Sequence, residues 1–271
     1  MKRTLPARDA CRGGVAPPAS PPQPSGNTLR HGEAMKCTLS ARDACRGGVA
    51  PPALRARRLF CLLLVLAALL SLTGCKKKNP YSEIEQNPIA TITMSDGSQM
   101  HFELYPQIAP NTVANFVKLA NDKFYDDLQV FRVVSNVLIQ SGDPNDNGTG
   151  DPGYYIKGEF RANGFENTLS HMRGTISMAR KSNYDTAGSQ FFIMEGSYPE
   201  YDGQYAAFGR IMDEQSLEVL DNIGSKPVDG SYVPLDKLVI KNIRVRTFDV
   251  DYEPEKLEKS VVDGKDKEEK K

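Results

Sequence analysis

Gln190 and Phe192 are the residues from which a chemical reading starts. They lie in Ala187-Gly188-Ser189-Gln190-Phe191-Phe192-Ile193, a β-prone run entered through a small-residue turn. Strand side chains alternate faces, so Gln190 and Phe192 share one face and Phe191 and Ile193 the other. One Phe then fills a core while the next lines a groove beside an amide, an arrangement suited to holding a peptide. Most double-Phe strands are only core, and on this run by itself that reading prevails; the segments that follow shift the balance. Nucleophilic and metal chemistry have less to stand on. No Ser/His/Asp arrangement stands out, and His31, His101 and His171 are scattered without ligand spacing. All five cysteines (Cys11, Cys37, Cys45, Cys61, Cys75) fall in the first 75 residues, so the remainder has neither a disulfide framework nor a thiolate metal site. Asp143-x-Asn145-x-Asn147-Gly148 imitates the first half of a calcium loop, but its twelfth position is Tyr154 instead of a bidentate Glu, and Pro144 interrupts it. No metal and no cofactor are expected.

The elements that must position such a groove are short. Ala90, Ile92 and Met94 alternate with Thr91 and Thr93; Asp96-Gly97 is a two-residue turn signal; Met100, Phe102 and Leu104 alternate again. Pro110-Asn111 opens a helix with Val113, Phe116, Val117 and Ala120 on one stripe and Asn111 as its N-cap. Strands are predicted over 130–134, 137–140, 174–179, 190–194, 205–211 and 238–246. Asp213 is predicted to cap a second helix carrying Leu217, Leu220 and Ile223, ended by Gly224. Many short strands and two helices in about 170 residues argue one mostly-β domain.

Charge divides the chain. Residues 1–75 carry a net +8 and residues 76–271 a net −8, so the formal zero is a cancellation. An acidic main part argues against a nucleic-acid partner, which needs Lys and Arg for its phosphates. Residues 1–19 and 35–53 are near copies, each beginning Met-Lys and rich in Gly and Pro. They are read as a duplicated upstream segment (1–53), disordered or untranslated. Leu54-Arg55-Ala56-Arg57-Arg58, fourteen uncharged residues from Leu59 to Leu72, and Leu72-Thr73-Gly74-Cys75 follow. A basic region, a short apolar run and small residues make a secretory signal over 54–74, too short to span a bilayer, which takes about 20 residues. Residues 75–88 form a linker, whose lysines 76–78 suit an anionic surface. From 251 to 271 the chain is rich in Lys, Glu and Asp and is predicted to be a disordered tail.

Two resemblances add to this. Ending on Leu-Thr-Gly-Cys, the signal resembles that of a bacterial lipoprotein, which implies a lipid on Cys75 and an extracytoplasmic membrane surface, periplasmic or extracellular. The region 89–250 resembles the cyclophilin family of peptidyl-prolyl cis/trans isomerases through Phe131-Arg132-Val133-Val134, Ile139-Gln140-Ser141-Gly142-Asp143, Asn147-Gly148-Thr149-Gly150, Ser177-Met178-Ala179, Gly188-Ser189-Gln190-Phe191-Phe192-Ile193 and Asp202-Gly203-Gln204-Tyr205-Ala206-Ala207-Phe208-Gly209-Arg210. It implies a closed eight-stranded antiparallel barrel capped by two α-helices. It implies an isomerase in which Arg132, Gln140 and Phe192 are catalytic: Arg132 donates to the prolyl nitrogen, Gln140 orients it, and Phe192 holds the ring. Val137, Leu138, Ala179, Arg180, Gln190, Tyr201 and Tyr205 would bind substrate. Val137 stands where Phe is frequent, Glu200 where some members carry Trp, and Tyr205 where eukaryotic members carry His; the missing Trp weighs against tight cyclosporin binding. The implied partners are Pro-containing segments of exported, partly folded proteins and the membrane, with a monomeric enzyme. The rival reading is a non-catalytic chaperone or scaffold using the same groove.

Overall fold

The computed structural model describes residues 79–268. Cys75, the signal region and the duplicated segment lie outside them. Within them the chain runs β1 (Ile89–Met94), β2 (Gln99–Leu104), α1 (Pro110–Asn121), β3 (Arg132–Val134), β4 (Leu138–Ser141), β5 (Thr175–Met178), β6 (Phe191–Met194), β7 (Ala206–Ile211), α2 (Glu214–Gly224), β8 (Ile240–Arg246) and α3 (Lys259–Glu268). Asp96-Gly97 turns the first hairpin as the sequence implies, with Gly97 at φ +88°, where a side chain would be strained.

The strands form one antiparallel sheet in the order β3-β4-β6-β5-β7-β2-β1-β8. This corrects the expected closed barrel, because the ladder is open between β3 and β8. Only the isolated Gln129–Val239 bridge crosses the seam, with Val130 N–H donating to Leu238 O and Ile240 N–H to Leu128 O, each at 2.8 Å. The reason is local. Val133 N–H, which could extend that pairing, donates instead to Tyr232 O at 2.9 Å in the loop before β8.

One face of the sheet curls around an apolar core. Phe116 of α1 plugs it, with ring centroids 5.5 Å from Phe191, 5.1 Å from Phe208 and 5.3 Å from Tyr125. All four are buried, and each large side chain removed from water contributes roughly 1.5–3 kcal/mol. The α1 stripe points inward as its spacing requires, but Asn111 is not its cap. Ala109 holds that position, and the buried Glu159 carboxylate accepts from Asn111 N–H (3.0 Å) and Thr112 N–H (2.8 Å). A distant acid therefore satisfies two orphan donors. Asp213 does cap α2, its Oδ1 accepting from Ser216 N–H at 2.8 Å.

Both ends of the described residues depart from expectation. In the predicted linker, Tyr81 stacks on Tyr252 at 4.7 Å, and the Asn79 amide donates to Pro106 O and Gln107 O. Among the described residues, the predicted disordered tail is ordered as far as Glu268. Leu257 bridges Tyr155, Val262 is buried, and a third helix follows. Composition pointed the other way because a few apolar residues, each with a long-range partner, anchor an otherwise charged segment.

Candidate active site

The sheet's other face carries a second, smaller apolar cluster of Leu138, Ala179, Phe192 and Met194. Period-two alternation sends Phe191 and Ile193 to the main core and Phe192 to this cluster, as their order implies. Antiparallel register then sets a row. Arg132 of β3 pairs with Gln140 of β4, Gln140 with Phe192 of β6, and Phe192 with Ser177 of β5. Directly paired residues share a face, so these four side chains stand shoulder to shoulder. The next row places Val134, Leu138 and Met194 beside them.

A chain of amides ties the row together. Gln190 Nε2 donates to Gly150 O at 2.9 Å and its Oε1 accepts from Gln140 Nε2 at 3.1 Å. Gln140 Oε1 in turn accepts from Arg132 Nη1 at 3.3 Å. Both glutamines are buried, while the guanidinium is half-buried. Burial pushes the Arg132 pKa down, with Tyr201, Tyr232 and Tyr205 acting oppositely. A guanidinium nonetheless keeps its proton at any working pH. The result is a fixed cationic donor beside an apolar patch.

Aromatic rings wall the patch. Tyr205 meets Phe192 edge-on at 5.5 Å, Tyr201 at 6.2 Å, and the two tyrosines lie 5.6 Å apart. Burial raises the Tyr205 pKa, with Arg180 and Arg132 pulling it back, so its hydroxyl stays protonated. Val137, beside Asn136 at φ +61°, packs at the rim. Arg180 is fixed by its side chain, its guanidinium lying over Tyr205 at 4.9 Å and donating to Gln204 O. Ala179 N–H donates to Gln190 O at 2.9 Å. Every site residue anticipated in the described part is thus gathered around one patch.

A group behind Phe192 escaped sequence reading. His171 is buried and lies 6.0 Å from the Phe192 ring, nearly parallel to it. Its Nδ1 is 2.9 Å from Asp202 Oδ1 and its Nε2 2.9 Å from Ser177 Oγ. A carboxylate only accepts, so Nδ1 carries the proton and Nε2 accepts from the hydroxyl. Burial pushes the His171 pKa below its ordinary 6.5 against the pull of Asp202. Burial raises Asp202, but hydrogen bonds from His171 outweigh it and leave that carboxyl below its usual value. The order Asp-His-Ser resembles a hydrolase triad, yet Ser177 is fully buried and reaches no substrate. The relay is a support for Phe192. Asp202 and Ser177 sat in quoted motifs, but only the fold joins them. The Asp143 carboxylate, suspected of imitating calcium ligation, accepts instead from the N–H groups of Asn145, Asn147, Gly148 and Gly150.

Residues 89–245 match the sequence model of the family described as Cyclophilin type peptidyl-prolyl cis-trans isomerase/CLD. A Bacillus subtilis protein named peptidyl-prolyl cis-trans isomerase B is 43% identical over 135 residues, covering 50% of this chain and 90% of that protein. A Helicobacter pylori peptidyl-prolyl cis-trans isomerase is 40% identical over 151 residues, 56% of this chain and 89% of its own length. A crystal structure of a Cryptosporidium parvum cyclophilin type isomerase, obtained in the presence of the dipeptide Ala-Pro, superposes with a TM-score of 0.52 at 31% identity, over 59% of this chain and 99% of that one.

Proposed function

The chain belongs to the cyclophilin type peptidyl-prolyl cis-trans isomerase family and is a prolyl isomerase, and from that premise we propose that it works on exported proteins at a membrane surface, through the Arg132–Gln140–Phe192 row. Turning an X-Pro bond breaks amide resonance, against a barrier of about 18–20 kcal/mol. No bond is made, so catalysis consists of binding the twisted amide better than either planar isomer. The twisted prolyl nitrogen becomes a hydrogen-bond acceptor, and Arg132 donates to it. Gln140 holds the guanidinium by accepting from Nη1, and Gln190 holds Gln140. The proline ring seats against Phe192, Leu138 and Val137, between Tyr201 and Tyr205. Ala179, Arg180 and Gln190 form the adjoining wall that grips the peptide. Excluding water strengthens each of these contacts.

The observation that carries this reading is the cross-strand register, which puts a fixed cationic donor and an apolar seat in one row. Its test is magnetisation-exchange NMR on an Ala-Pro-Phe peptide with the purified chain. Acceleration that Arg132→Ala largely abolishes supports it; equal acceleration by Arg132→Ala sinks the assigned role.

The export and anchoring part rests on the basic, apolar, Leu-Thr-Gly-Cys sequence of residues 54–75. Cys75 receives the lipid and a monomeric isomerase domain faces the extracytoplasmic side, meeting Pro-containing segments as they emerge. Expression in a bacterium with labelled fatty acid, beside Cys75→Ser, checks this. Label and membrane fractionation lost together in the variant support it; an unlabelled parent overturns it.

A further inference from the structure

Arg132 stands on β3, the edge strand of the sheet, with β4 on one side only. Among the described residues its guanidinium engages one hydrogen-bond acceptor, Gln140 Oε1 on Nη1. A guanidinium is a planar group with five N–H donors on a long stem, and a single bond at its tip leaves that plane free to swing. The loop before β8 reaches the same group from the outer edge of β3. Tyr232 O accepts from Val133 N–H at 2.9 Å, and the Tyr232 ring centroid lies 5.9 Å from Arg132 Cζ. That is within the roughly 6 Å over which a ring face attracts a cation. The loop closes on itself to put the ring there. Asp229 Oδ1 accepts from Ser231 N–H at 2.7 Å and from Val233 N–H at 2.9 Å, and Val228 bridges Pro234.

Tyr232 sits at φ +65°, a left-handed conformation that a bulky side chain rarely adopts and that is held against a steric penalty. The penalty is avoidable. The carbonyl bond to Val133 needs no side chain, so a glycine would make it without strain. The same turn contains a glycine, Gly230, with open space around it, yet the left-handed position falls on Tyr232 instead. Nor does the ring fill a core, since Tyr232 is 50% exposed. A side chain that is strained and half in water needs a reason to be there, and its ring meets Arg132. The loop's own hydrogen bonds and the bond to β3 over-determine the conformation, which is how strain persists beside a working site.

We propose that Tyr232 is a second positioning residue for the isomerisation, its ring steadying the Arg132 guanidinium from the outer edge of β3 while Gln140 holds it from β4. The inference rests on the role assigned to Arg132 above. Tyr232 acts through Arg132 and does not itself meet the prolyl bond.

The test measures kcat and KM on the Ala-Pro-Phe peptide, with a melting curve for each sample, using the full chain and its variants. In Tyr232→Ala, kcat should fall about three- to tenfold, the scale of a partly desolvated cation–π contact. KM should stay near the parent's, because a donor used only in the twisted state acts on kcat. Tyr232→Gly should lose the same kcat as Tyr232→Ala yet melt at a higher temperature, since only glycine relieves the backbone. Tyr232→Phe keeps the ring and should bring kcat back to within about twofold of the parent. In an Arg132→Ala background, adding Tyr232→Ala should change nothing further. An unchanged kcat in both the Ala and Gly variants overturns the proposal. So does a kcat loss that follows melting temperature, a loss confined to KM, a Phe variant as slow as Ala, or a further loss in the Arg132→Ala background. If Arg132→Ala alone turns over like the parent, the role of Arg132 fails first, and the positioning role falls with it.

Discussion

Arg132 and Gln140 face each other directly across β3 and β4, with Nη1 donating to Oε1 at 3.3 Å. The pairing fixes a long, otherwise adaptable cation by a neighbour that is itself buried and doubly bonded. Arg132→Lys keeps a charge but not the planar fork that can meet Gln140 and a substrate at once. We expect kcat/KM to fall by roughly 10²–10³ for both Arg132→Ala and Arg132→Lys, the usual cost of one lost transition-state donor. Thermal midpoints should stay near the parent's, since Arg132 is only half-buried. Exchange NMR and a melting curve on the same samples check this.

Gln190 is the keystone of the amide chain. In Gln190→Leu, Gln140 Nε2 and Gly150 O both lose their partner in a buried setting. Each orphaned group costs about 1–3 kcal/mol. Urea denaturation should show that loss, and turnover should fall as well because Gln140 no longer holds one orientation. Gln190→Glu, which keeps the acceptor but loses the donor to Gly150 O, should leave the Gln140 contact and lose stability alone.

His171 makes acid a liability. Its folded pKa lies below its ordinary 6.5 because it is buried. The unfolded chain therefore takes up its proton first as pH falls. The stability this group contributes is complete above pH 6.5 and is lost as pH drops through the folded value. The limiting slope is about 1.4 kcal/mol per pH unit. Protonation also removes the Nε2 acceptor that Ser177 Oγ uses, loosening the support behind Phe192. Denaturation midpoints at stepwise pH below 6.5 should decline in the parent, and the decline attributable to this group should vanish in His171→Asn.

Glu159 titrates with the opposite sign. Burial raises its pKa above the ordinary 4.5, despite the N–H groups of Thr112 and Asn111 favouring the anion. Its contribution is complete below pH 4.5 and declines as pH rises through the folded value. Glu159→Ala removes the acceptor from both N–H groups and should destabilise by about 1–3 kcal/mol. Glu159→Gln, which retains one acceptor oxygen, should cost less and abolish that pH dependence. Calorimetry at two pH values distinguishes the pair.

Gly142 marks a close approach of two chain segments. It sits at φ +87°, and a Cβ there would lie 3.1 Å from a Phe191 ring carbon and closer still to the Ser189 carbonyl oxygen. Gly142→Ala should therefore cost more than Gly97→Ala, which has the same sign of φ but open space around it. Comparing the two melting temperatures isolates the packing part from the backbone part.

Local pattern settled much of this protein. Alternation along 191–194 divided the two phenylalanines between core and groove, Asp96-Gly97 placed the first turn, and Asp213 capped α2. These are short-range effects, in which neighbours in sequence are neighbours in space. The motifs containing Arg132, Gln140 and Gln190 pointed to one surface through the family resemblance, and the register of β3, β4 and β6 accounts for it. What depended on partners far along the chain could not be counted. The open seam exists because Tyr232 intercepts Val133. Glu159 displaced Asn111 as the α1 cap from 48 residues away, and Asn111 was left to hold the tail at Glu255, 144 residues on. The relay of Asp202, His171 and Ser177 needed an ordered loop to close over β5. A charged tail looked unable to fold because its own composition cannot bury a core. It is ordered because Tyr155, Tyr81 and Asp151 supply from elsewhere the apolar surface and the counter-charge it lacks.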